Sequence, residues 1–269
     1  MFARTVITGF VLGVLAGGCG GGGESASTPT VPTTAPPAPL TVLVTNDDGI
    51  GAPGIDTLVS VLREMPGVEV VVVAPAENQS GTSDRTTAGT VRHRPGTTAS
   101  GVAGTAVEGF PADAVAVALD ELGVLPDLVV SGVNEGQNVA NFAPLSGTIG
   151  AARAALRRGI PALAASAGLG PQANFTAGAT LVADWITAHR GELLGGTAQT
   201  ATVTSFNVPG CTVGTPKAVI EVPRAPAVPV NVNVFVTANC DLMPVAAPTN
   251  DVEALMGGYL AVTPIPAEL

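Results

Sequence analysis

The chain has 269 residues and a formal net charge of −10; 46% of its residues are hydrophobic but only 3% are aromatic. That length suffices for a sizeable core, which Ala, Val and Leu must fill. The acidic balance, with no basic stripe, excludes a nucleic-acid polymer as partner, and an anionic substrate needs a metal ion or backbone N–H groups to offset repulsion.

Met1-Phe2-Ala3-Arg4 precedes an apolar stretch from Val6 to Leu15, too short to span a bilayer and suited to the middle of a signal peptide. Leu15-Ala16-Gly17-Gly18-Cys19 resembles a bacterial lipobox, with Ala16 where Leu is usual. Residues 1–19 are therefore expected to direct export, with Cys19 as the lipidation site. A plain secretory signal is the alternative. Gly20 to Pro39 is rich in Gly, Ser, Thr and Pro and reads as a flexible linker. The expected location is the cell envelope or outside the cell, with membrane contact only through a lipid anchor.

From Leu40 strand-like and helix-like segments alternate. Thr41–Thr45 is a β-branched strand, and Ile55–Met65 has helical spacing with Ile55, Leu58, Val59 and Leu62 on one face. Glu69–Ala74 is an apolar strand closed by Pro75, and a polar, Gly-rich loop is expected from Ala76 to about Gly104. Pro111 opens a helix through Leu122. Leu128–Ser131 is a buried strand, and Gly147–Arg158 a helix. Ile160–Ser166 and Thr202–Asn207 are strands flanking a helix near Ala173–His189. Apolar strands alternating with helices imply an α/β fold with a mostly parallel sheet covered on both faces. After Pro209 the rhythm changes, and Ala218–Val222 with Val230–Val236 suggests a C-terminal β-hairpin extension. Cys211 and Cys240 remain as an even pair in an oxidising compartment and are expected to form a disulfide; two buried thiols are the alternative.

Chemistry concentrates at the strand ends. Asn46-Asp47-Asp48-Gly49-Ile50 follows the first strand, placing two carboxylates where open α/β sheets bind ligands. Neighbouring carboxylates repel unless a cation neutralises them, and oxygen donors favour Mg²⁺ or Mn²⁺. A solvated turn has the same composition. Glu77 to Ser83 follows the second strand, Gly132 to Asn138 the strand Leu128–Ser131, and Leu145 to Gly150, with Ser146-Gly147-Thr148, stands at the start of the next helix. Carboxyl ends of parallel strands share one edge, so these segments should converge on Asp47 and Asp48. The helix start offers hydroxyls, free N–H groups and a positive dipole end for phosphate, although Ser and Thr there also serve as simple N-caps. His93 and His189 look like surface or helix-end residues, and no Gly-x-Ser-x-Gly elbow is present, which disfavours a Ser-His-Asp hydrolase.

Thr45-Asn46-Asp47-Asp48-Gly49-Ile50, Ala52-Pro53-Gly54, Val73-Ala74-Pro75, Asn78-Gln79-Ser80-Gly81, Pro111-Ala112-Asp113, Pro126 to Asn134 and Ser146-Gly147-Thr148 occur in one order that resembles the SurE-type survival-protein nucleotidases. The resemblance runs from about Leu40 to Ile265. It implies a Rossmann-like core with a β extension used in homo-oligomer formation. It further implies a divalent-metal-dependent phosphatase acting on nucleoside monophosphates (a 5'/3'-nucleotidase). By matching positions, Asp47, Asp48, Ser80 and Asn134 would hold the metal, with Asp47 and Asp48 also catalytic. Asn138, Ser146, Gly147 and Thr148 are the candidates for holding phosphate. Departures from the family pattern at Phe110, Glu135 and Leu145 bear on substrate preference. A non-catalytic exported lipoprotein that binds nucleotide or phosphate is the alternative reading.

Overall fold

The computed structural model describes residues 39–170, 173–244 and 246–268. The expected signal peptide, the lipidation site Cys19 and all but the last residue of the expected linker lie outside the described residues.

The first strand, β1 (Leu40–Thr45), is buried on both faces. Val42 and Val44 enter one apolar cluster with Ile55, Leu58 and Leu62 of α1 (Pro53–Arg63) and with Val182 and Ile186 of the later helix α4 (Phe175–Leu194). Leu43, on the opposite face, joins a second cluster built by α2 (Pro111–Ala116) and α3 (Gly147–Leu156). Helices on both faces explain why the strand is a continuous apolar run. The small side chains of α3 (Ala151, Ala152, Ala154 and Ala155) let it pack closely, and all ten of its residues are buried.

The remaining strands are β2 (Val68–Pro75), β3 (His93–Thr97), β4 (Ala103–Val107), β5 (Leu128–Glu135), β6 (Ala162–Ala167), β7 (Thr202–Val208), β8 (Cys211–Val213), β9 (Lys217–Glu221), β10 (Ala238–Asn239) and β11 (Tyr259–Pro266). Eight of them join β1 in one nine-stranded sheet in the order β3-β4-β2-β1-β5-β6-β7-β11-β9; β8 and β10 form a separate pair. Strands β4, β2, β1, β5, β6 and β7 run parallel, while β3 and β11 are antiparallel to β4 and β7. The chain leaves β1 towards β2 on one side and returns to β5 on the other. The gap between the carboxyl ends of β1 and β5 is thus the topological switch point, where such sheets bind ligands.

Four expectations require correction. The loop expected from Ala76 to Gly104 contains β3 and the start of β4; the polar sequence His93-Arg94-Pro95-Gly96-Thr97 suits an exposed edge strand, which alternation rules overlook. The helix expected through Leu122 changes to a π-helical turn over Val117–Glu121. Strand β5 continues through Asn134 to Glu135, past a register shift between Ser131 and Asn134. The C-terminal hairpin is absent: β9 pairs in parallel with β11, and 230–236 carries no strand. Its apolar residues Val232 and Val234 instead pack with Val139, Val252 and Leu255 beside the short helix α5 (Asp251–Met256).

Candidate active site at the switch point

Asp47 and Asp48 leave the end of β1 at the switch point. Gly49 makes the turn that follows with φ +102°, a conformation costly for any side chain, and its carbonyl accepts the Asn46 amide at 2.8 Å. Asp47 is 3% exposed. Its Oδ1 accepts the Thr148 hydroxyl at 2.7 Å, across 101 residues of sequence. Burial pushes the Asp47 carboxyl above its ordinary pKa, opposed by that hydroxyl and by backbone N–H groups of Asp47, Thr148 and Gly147. The half-buried Asp48 accepts the Glu135 N–H at 3.0 Å through Oδ2. Burial, followed by the charge on Asp47, pushes Asp48 up to about 7.

Gly147 shows how closely α3 approaches this pair. A Cβ there would stand 2.8 Å from the Asp47 Cβ and 3.0 Å from its Oδ2. The helix start therefore presents backbone to the carboxylate, with first-turn N–H groups that have no helical carbonyl partner.

The segment 78–85 wraps this edge. Gln79 N–H donates to the Asp47 carbonyl at 2.6 Å, and Asn78 Oδ1 accepts the Ser80 N–H at 2.9 Å, a local turn that leaves Ser80 exposed. Ser83 donates through its hydroxyl to Pro144 O at 2.6 Å and through its N–H to Leu145 O at 3.0 Å. Asp84 pairs with Arg157, the C-cap of α3, and, at 3.4 Å, with Arg153 on that helix. Ser80 thus sits in a loop lashed to the same helix that approaches Asp47.

Asn134 is buried, and its Nδ2 donates to Gly136 O at 2.6 Å, leaving Oδ1 without a hydrogen bond among the described residues. The structure connects Asp47 directly to Thr148, and Asp48 to the residue after Asn134. It treats the expected phosphate holders differently. Ser146 caps α3, its Oγ accepting the Ile149 N–H at 3.2 Å, and the Thr148 hydroxyl is committed to Asp47. Asn138 Nδ2 donates to Ser166 Oγ at 2.9 Å and to Thr148 Oγ1 at 3.4 Å. What remains for a ligand at α3 is the positive end of its dipole.

Ser166 and Asn207 escaped the sequence reading, yet both are fully buried and bonded to Asn138. Each is a polar residue near the carboxyl end of an otherwise apolar parallel strand, a signal the sequence did contain. Among the described residues no three His, Cys, Asp or Glu side chains gather as a metal centre. The donor set at this edge is instead two carboxylates with amide and hydroxyl oxygens. Away from it, His93 lies 3.3 Å from Glu121 and His189 stacks on Trp185. Cys211 and Cys240 are disulfide-bonded, with Cα atoms 5.6 Å apart.

Residues 42–227 match the family model described as survival protein SurE. A 5'-nucleotidase SurE of Cereibacter sphaeroides is 44% identical over 137 residues, 49% of this chain and 51% of that protein. One from Halobacterium salinarum is 48% identical over 126 residues, 46% of each chain. The chain thus spans about half the length of the curated relatives it matches. The crystal structure of the SurE protein from Aquifex aeolicus superposes with a TM-score of 0.66 at 25% identity, over 85% of this chain and 94% of that one. The family match covers the parallel core of the sheet from Val42 through β7 and every residue of the switch-point cluster, and on that ground the chain belongs to the survival protein SurE family.

Proposed function

We propose that the chain is a divalent-metal-dependent phosphatase that hydrolyses nucleoside monophosphates to nucleoside and phosphate. The single observation that carries this reading is the Asp47–Asp48 pair at the switch point. Both carboxyls are raised by burial, and no Lys or Arg forms an ion pair with either among the described residues. Two desolvated, neighbouring carboxylates without a cationic partner are what a bound cation stabilises.

The donors fit such an ion. Among the described residues, Asp47 Oδ2 and Asp48 Oδ1 accept no side-chain hydrogen bond, and neither Asn134 Oδ1 nor the Ser80 hydroxyl has a partner. All four are hard oxygen donors, which suit Mg²⁺ or Mn²⁺ rather than zinc. When bound, the cation supplies charge neutralisation and Lewis acidity. The Thr148 hydroxyl and the Glu135 N–H hold the two carboxylates in place. The positive end of α3 stabilises the phosphoryl oxygens. Burial of Asp47, Asn134 and Asn138 limits water at this edge.

The 5'-nucleotidase names of the relatives support a nucleoside monophosphate as substrate. Exposed apolar side chains in the C-terminal segment (Val230, Phe235, Leu242 and Met243) support a homo-oligomer. Export with Cys19 acylated stays part of the proposal and rests on residues 1–19 alone. The test is phosphate release from a panel of nucleoside monophosphates with Mn²⁺, Mg²⁺ or chelator. Metal-dependent release supports the reading; binding without release under every metal overturns it.

A further inference from the structure

Asn207 stands near the end of β7, two strands away from β5 and three from β1, and is fully buried. Its side chain grips the backbone of one residue twice. Oδ1 accepts the Asn138 N–H at 2.7 Å, and Nδ2 donates to the Asn138 carbonyl at 3.2 Å. Asn138 lies beyond the end of β5, where no strand supplies it with a ladder partner, so the Asn207 amide takes that role.

The consequence travels along a line of buried side chains. With its backbone fixed, Asn138 directs Nδ2 at both Ser166 Oγ and Thr148 Oγ1. A hydroxyl has one proton to give. Because Thr148 Oγ1 accepts from Asn138, its proton is left to point at Asp47 Oδ1, 2.7 Å away. Chains of this kind polarise one another, and inside a core each member is costly to leave unpaired.

We propose that Asn207 is a positioning residue for the switch-point site: it fixes Asn138, and through Asn138 and Thr148 it sets the orientation of the Asp47 carboxylate toward a bound cation. This rests on the metallophosphatase reading above. Partners of this sort, one step removed from the ligands, change metal affinity or activity by about 10- to 100-fold when removed. A merely structural role for Asn207 predicts lost stability and nothing more.

The test uses Asn207→Leu, which keeps the volume and loses both hydrogen bonds. Val203→Ala serves as control, because Val203 is fully buried on the same face of the same strand and has no polar contact. Three quantities are read: amide hydrogen exchange of the segment 134–139, Mn²⁺ affinity by calorimetry without substrate, and kcat and KM separately. The expected result for Asn207→Leu is faster exchange at 134–139, Mn²⁺ affinity about tenfold or more weaker, and a kcat that falls more than KM rises. Val203→Ala should lower the melting temperature and leave Mn²⁺ affinity as in the wild type. If Asn207→Leu does not fold, Asn207→Asp keeps the acceptor, loses the donor and should show the same losses. Wild-type Mn²⁺ affinity in the Asn207 variant, or equal weakening in Val203→Ala, overturns the proposal. If the wild type itself binds no Mn²⁺, the metallophosphatase reading falls, and unchanged exchange at 134–139 in the variant then overturns the Asn207 role on its own.

Discussion

Up to Val208 the chain builds its sheet from strands of five to eight residues whose order is set by backbone ladders between apolar runs. After Pro209 the strands shrink to three, five and two residues before β11 returns to the sheet, and point contacts add to short ladders. There the Cys211–Cys240 bond, the Lys217 ammonium on the carbonyls of Cys240 (2.5 Å) and Gly257 (2.7 Å), and the buried Asp251 hold the chain. The two regions meet along the β7–β11 ladder, in the cluster around Val139, and at buried polar contacts. Asp251 accepts the N–H of Ala140 at 2.8 Å, and Gln137 donates to Val234 O at 2.6 Å. The first region has buried strand ends on which to place reacting groups, whereas the second relies on a small apolar cluster and on local fastenings. Chemistry and fastening should therefore respond to different substitutions.

Replacing Asp47 by Asn tests that separation with the largest effect. The value of kcat/KM should fall by roughly 10³-fold, about 4 kcal/mol of transition-state stabilisation. The melting temperature should hold or rise, since a desolvated carboxyl has been removed. Full activity in this variant would remove the site from the account.

Next in size is the fastening. Cys211 and Cys240 are 29 residues apart, and the double substitution to Ser should cost about 3 kcal/mol of stability. Thermal unfolding reads that loss. The folded fraction should keep a kcat close to that of the wild type; a collapse of kcat in protein that is still folded would show that the regions do not act separately.

The smallest effect is the pH dependence carried by Asp48. Its pKa in the folded chain, about 7, lies above the ordinary 3.8, so the protonated form is favoured by folding. That stabilising contribution is complete below about pH 4 and is lost as pH rises through 7 in metal-free protein. Asp48→Asn should flatten this slope. Mn²⁺ takes the deprotonated carboxylate, so its affinity should climb about tenfold per pH unit below 7 and level off above, with proton release visible by calorimetry in buffers of different ionisation enthalpy. An affinity constant from pH 5 to 7 would contradict the assignment.

The same contrast explains what the sequence made legible. In the first region the apolar runs of β1, β2, β5, β6 and β7 report burial on both faces, and their shared direction places Asp47, Asp48, Ser80 and Asn134 on one edge. The edge strand β3 was hidden because His93, Arg94 and Pro95 are exposed and owe their extended form to β4. Val230–Val236 misled for the opposite reason: its alternation records Val232 and Val234 packing beside α5, with no ladder. Within the site, residue type could mark Ser146 and Thr148 as polar groups at a helix start. The Ser146 cap is local and was legible as one reading of Ser at a helix start, whereas the Thr148–Asp47 bond spans 101 residues and is chosen by the tertiary fold.

The most direct measurement is anomalous diffraction from a crystal soaked in Mn²⁺. The account predicts a peak about 2.2 Å from a carboxylate oxygen of both Asp47 and Asp48, with Asn134 Oδ1 turned towards it. A crystal without a peak between these carboxylates, under conditions where the protein releases phosphate, would contradict it.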